Sequence, residues 1–134
     1  LHLLNSKDKK LATIQIALLD KQENAEKLFH SLSKAQKYTP GILYTFLIYK
    51  KGQKRDVTHE ELALSMHIPQ DPQRADKWWE LRSYYAREFL KLHKYREAYK
   101  LANDHEGSDR LHVSQAQWLA GWISLRLLLH YLTL

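Results

Sequence analysis

The chain has 134 residues, 44% of them apolar, which suits one compact domain or one segment of a repeat array. Twenty-one Lys and Arg against fifteen Asp and Glu leave a net charge of +6, which favours an acidic partner without choosing among nucleic acid, anionic lipid and anionic polysaccharide. The absence of cysteine excludes disulfides and thiolate metal sites and leaves both oxidising and reducing compartments open.

The opening "LHLLNSKDKK" is too short and wrongly ordered for an intact signal peptide. Scarce glycine, prolines only at 40, 69 and 72, and no sustained alternation of apolar and polar residues predict an all-helical chain. From 8 to about 19, Leu11, Ile14 and Leu18 form a stripe flanked by Ala12, Ile16 and Leu19, so this helix is expected to pack on more than one neighbour. A second helix, about 23 to 36, has Ala25, Leu28, Phe29 and Leu32 at the spacing of one buried face. Thr39, Pro40 and Gly41 break the chain. A third helix, about 41 to 50, with Ile42, Phe46 and Tyr49, is expected to close on Gly52 in the left-handed conformation.

Thr58 with Glu61 reads as a capping box opening a helix over about 59 to 67, which "IPQDPQ" ends. The longest helix is expected from Arg74, with Trp78, Leu81, Tyr85, Phe89 and Leu92 on one face and Trp79, Ala86 and Leu90 on the next, two buried faces that imply neighbours on two sides. A helix over about 95 to 104 buries Ala98, Leu101 and Ala102. Ser114 and Gln117 read as the capping box of the last helix, where Trp118, Gly121, Trp122 and Leu125 share a face. Trp118 and Trp122 are expected to be core anchors, with Gly121 at a close helix approach.

"NAEKL" at 24 to 28 and "EAYKL" at 97 to 101 follow similar basic turns, with "EELAL" at 60 to 64 about midway. A unit of roughly 36 residues predicts a helix-turn-helix superhelical solenoid segment, tetratricopeptide-like, of about six to seven helices and continuous over 1 to 134. The final "WLAGWISLRLLLHYLTL" contains Arg126 and His130 and falls short of a spanning helix, so no transmembrane segment is expected. Its leucines leave the last helix apolar on nearly every side and predict self-association through it.

No chemistry emerges from the motifs. The eight histidines form no zinc pattern, Glu60 and Glu61 are read as a solvated face without an apolar pocket, and no phosphate loop or nucleophile elbow occurs. The expectation is therefore no catalytic residue, no metal and no cofactor in this chain. Trp78, Tyr85 and Phe89 are read as packing anchors; Trp79, Tyr84 and Tyr95 are the candidates to face a ligand. Basic residues spread over every helix and mixed with acids argue against nucleic acid as partner.

One stretch is more specific. "YREAYKLANDHEGSDRLHVSQAQWLAGWISLRLL", with its "AY.LA..H" helix followed by "A.WLAGWI.LR", resembles the helical domain of soluble lytic murein transglycosylases, and "WWELRSYYAREF" is similar to that family's "W..R" helix. The resemblance runs over 74 to 129 and is looser over 8 to 67. It implies an α-superhelical, doughnut-forming domain of a periplasmic enzyme that cleaves peptidoglycan, lying outside its lysozyme-like catalytic domain. That domain's catalytic glutamate followed by serine has no counterpart here, so the parent would be the enzyme and this segment a scaffold that helps to hold the glycan strand. The alternative reading is a tetratricopeptide-like module for protein interaction.

Overall fold

Capping boxes open two of the helices, and turns through a positive-φ residue close two. The computed structural model describes residues 6–53, 55–103 and 110–132, with backbone alone at 7, 72 and 110–116. Among the described residues the protein is all-α, with eight helices, one 3-10 turn and no strand. Its packing divides into two compact units, Leu1–Asp56 and Val57–Leu134, where the sequence reading has one continuous segment.

The first unit contains α1 (Ser6–Leu19), α2 (Ala25–His30), α3 (Lys34–Lys37) and α4 (Pro40–Lys51). α1 packs on α2 and α4, and α3 on α4. α1 closes in a Schellman turn: Lys21, at φ 54°, donates its N–H to Leu18 O at 3.2 Å, and Gln22 donates to Ala17 O at 3.0 Å. The helix expected over 23 to 36 is split, because Ser33 caps α3. Its hydroxyl accepts the Gln36 N–H at 3.3 Å, while Gln36 Oε1 accepts the Ser33 N–H at 3.0 Å. Ile14, Leu18, Phe29, Ile42, Leu43 and Phe46 are buried, and the rings of Phe29 and Phe46 stack with centroids 3.7 Å apart. Ile16 and Leu19 lie outside the arc that α2 and α4 cover and are exposed. Gly52 follows α4 at φ −73°, a right-handed conformation open to any residue, so the expected left-handed closure does not form.

The second unit contains α5 (His59–Ser65), a 3-10 turn over Pro72–Arg74, α6 (Ala75–Lys91), α7 (Tyr95–Asn103) and α8 (Arg110–Leu132). The Thr58 capping box forms as expected: Thr58 Oγ1 accepts the Glu61 N–H and Glu61 Oε1 accepts the Thr58 N–H, both at 3.2 Å. The longest helix is α8 with 23 residues, not α6 with 17. α8 begins at Arg110, so Ser114 sits inside the helix and is not its cap.

α6 is the axis of this unit. α5 and the 3-10 turn pack on it, as do α7 and α8, and α7 also packs on α8. Enclosure from several sides buries Trp78, Trp79, Leu81, Arg82, Tyr85, Ala86 and Phe89. Leu92, expected on the same face, is half exposed because α6 stops at Lys91. The stop is a second Schellman turn: His93, at φ 59°, donates to Leu90 O and Lys94 to Phe89 O, both at 3.0 Å.

The two "basic turns" of the sequence repeat are therefore the same device. In each unit a helix ends on a positive-φ basic residue, Lys21 or His93, and a shorter helix follows. The alanines of "NAEKL" and "EAYKL", Ala25 and Ala98, are each fully buried.

Candidate functional site

The strongest exposed feature belongs to α8. Its buried side carries Leu119, Ala120 and Ile123, the positions turned toward α6 and α7. Each residue advances a helix by about 100°, so the neighbouring stripe at 118, 122 and 125 turns away from that contact. Trp118 is 67% exposed and Trp122 36%, and a Cβ built on Gly121 would meet nothing within 4 Å. The expected roles of Trp118 and Trp122 as core anchors, and of Gly121 as a close approach, are corrected accordingly. The sequence stripe was real, but the adjacent one is buried.

These tryptophans line a shallow groove of about 380 Å³ with Leu119 and, from α6, Arg87, Leu90 and Lys91. The Arg126 guanidinium lies 4.5 Å from the Trp122 ring centroid, one helical turn along, a cation–π contact. Indole faces beside Arg and Lys can take a flat apolar or sugar-like face together with a negative group. The basic residues of the groove were not singled out in the sequence. The signal was available: Arg87 and Lys91 are four apart, as are Trp122 and Arg126.

The three residues expected to face a ligand occupy separate places. Trp79 is 6% exposed, inside the core of the second unit, because α6 is covered on that side too; it is not a ligand-facing residue. Tyr84 is half-buried on α6 and stands edge-on to Tyr85 with centroids 4.9 Å apart. Burial, and then the charge of Glu88, push its hydroxyl pKa up. Tyr95, in the first turn of α7, is half-buried and lines a second cavity with His93, Arg96, His130 and Tyr131. The expected anchors Trp78, Tyr85 and Phe89 are all in the core.

Polar burial explains itself structurally. Glu61 is 3% exposed, so its reading as part of a solvated face is corrected. One carboxylate oxygen holds the capping box, and the other accepts the Tyr85 hydroxyl at 2.8 Å. Arg82, also 3% exposed, donates to Pro69 O at 3.0 Å and ties the segment before the 3-10 turn to α6. Both groups are used in holding neighbouring segments against α6. Among the described residues no group of three His, Asp or Glu side chains gathers to hold a metal, and no helix is long and apolar enough to cross a membrane.

Comparison of the chain with protein-family models, with curated proteins and with solved structures finds no match.

Proposed function

We propose that this chain is a non-catalytic, superhelical scaffold segment of a periplasmic peptidoglycan lytic transglycosylase, one that helps to hold the glycan strand for a catalytic domain elsewhere in the parent. The observation that supports it is the two-sided character of α8, the helix that contains "A.WLAGWI.LR". One side of α8 is packed into α6 and α7, while Trp118, Trp122, Leu125 and Leu128 are exposed on the rest. A stacked helical repeat has this property, since its outer apolar face is covered only by a neighbour. The indole groove offers stacking surface and the positive charge of Arg87 to an anionic glycan-peptide polymer, while Lys91 is paired with Glu88 at 2.8 Å.

The same exposed face supports self-association of the chain, since contiguous apolar surface of this kind favours contact with a second copy. It also favours the second reading, an adaptor that takes an apolar peptide in the groove. The coding sequence of the parent separates the two. The scaffold reading expects a lysozyme-like segment with a Glu-Ser pair in the same open reading frame. A frame made only of further helical repeats contradicts it in favour of the adaptor.

A further inference from the structure

The cavity that includes Tyr95 differs in chemistry from the indole groove. It measures about 430 Å³, inside the range of small-molecule sites, and lies between the start of α7 and the last turns of α8. Lys94 and Arg96 supply two permanent positive charges, His93 and His130 two imidazoles, and Glu97 the opposing carboxylate. Tyr95 and Tyr131 add phenol rings, and Leu127 an apolar patch.

Its side chains hold one another in place across the cavity. The Arg96 guanidinium on α7 donates to the Tyr131 hydroxyl on α8 at 3.1 Å, and His93 Nδ1 is hydrogen-bonded to the Tyr95 hydroxyl at 2.8 Å. The rings of Tyr95 and His130 stand 5.6 Å apart. The first intrahelical bond of α7 runs from the Ala98 N–H to Lys94 O, so the amides of Tyr95, Arg96 and Glu97 form the helix's opening turn and add its positive end to the same place.

His93 occupies the left-handed position after α6, where glycine serves the backbone best. What the imidazole adds to that position is a side chain on the cavity wall.

We propose that this cavity binds a small phosphate monoester, the phosphate held by Arg96, Lys94, the imidazoles and the start of α7, and a ring-sized organic group held against Tyr95 and Tyr131. A phosphate dianion presents three oxygens to a fork, an ammonium and backbone amides at once, whereas a carboxylate presents two. The two cations Lys94 and Arg96 outweigh the single carboxylate of Glu97, which favours a dianion.

Isothermal titration of the full chain with phenyl phosphate, inorganic phosphate and benzoate tests this. Phenyl phosphate is expected to bind most tightly, inorganic phosphate less tightly for want of the ring, and benzoate weakest. Arg96→Gln is expected to weaken phenyl phosphate by about tenfold or more, the usual worth of a hydrogen bond to a charged group. His93→Gly is expected to weaken it similarly while leaving the melting temperature unchanged or higher, which separates a binding role from a folding one. Lys77→Gln, an equal loss of charge at the far end of α6, should leave binding within about twofold. The proposal is overturned if wild type shows no heat with phenyl phosphate up to roughly 10 mM, if benzoate binds as tightly, or if Lys77→Gln costs as much as Arg96→Gln.

Discussion

Tyr85 donates its hydroxyl to Glu61 Oε2 at 2.8 Å, joining α5 to α6 through two buried polar side chains. A buried acceptor that loses its donor costs about 1–3 kcal/mol, so Tyr85→Phe should destabilise the protein by that amount at neutral pH in denaturant melts. Burial, followed by the charge of Glu61, raises the Tyr85 hydroxyl pKa far above its ordinary 10.0. Above pH 10 the unfolded chain releases this proton and the folded chain keeps it, so stability falls as pH rises. Tyr85→Phe should make that alkaline loss shallower; an unchanged slope contradicts the assignment.

The ion pair of the first unit sets an acid response. Lys50 Nζ lies 2.6 Å from Glu26 Oε1, and this hydrogen bond holds the Glu26 carboxyl below its ordinary 4.5, with further help from the charges of Lys50 and Arg55. A depressed carboxyl stabilises the folded state above its unfolded pKa, and the contribution is lost as pH falls through the folded one. Lys50→Met should therefore be less stable than wild type at pH 7, and the gap should narrow as pH drops below about 4.5. A gap constant to pH 2 would mean that Lys50 acts through its aliphatic stem alone.

Burial separates the aromatic residues sharply. Trp79→Ala and Phe29→Ala should each cost about 3–5 kcal/mol, as buried aromatic truncations do. Trp118→Ala should change stability by no more than about 0.5 kcal/mol, because its ring is exposed. A large loss at Trp118 in urea melts would show that its face is covered in solution.

That contrast also marks what the sequence could and could not reveal. Apolar stripes and the Thr58–Glu61 box were enough for the all-α class and for most helices. The break at Ser33 is legible too, as a Ser-x-x-Gln box inside an apolar pattern. The face of α8 was not: from 118 to 132 only Ser124, Arg126 and His130 are polar, so periodicity alone cannot choose between the stripe at 118, 122 and 125 and the one at 119, 120 and 123. Only the position of α6 and α7 decides. Trp78 and Trp79 lie on adjacent faces of a helical wheel, and the burial of both follows from the two apolar faces legible in that helix, which need neighbours on two sides. The cavity around Tyr95 joins residues some thirty-five positions apart, such as Arg96 and Tyr131, a pairing that no local spacing encodes.

The exposed leucines of α8 give a concentration-dependent expectation. Leu125, Leu128 and Leu132 are 53%, 55% and 72% exposed, and analytical ultracentrifugation should show reversible association that Leu128→Lys and Leu132→Lys weaken. Monomeric sedimentation at every concentration would contradict it.

The scaffold reading is tested most directly by co-sedimentation of the purified chain with insoluble peptidoglycan sacculi at low ionic strength. The chain should pellet with the sacculi, the pelleted fraction should fall with added salt, and the double variant Trp118→Ala, Trp122→Ala should remain in the supernatant while staying folded by circular dichroism. A wild-type chain that stays in the supernatant with sacculi present, or a double variant that pellets as well as wild type, contradicts glycan binding through α8.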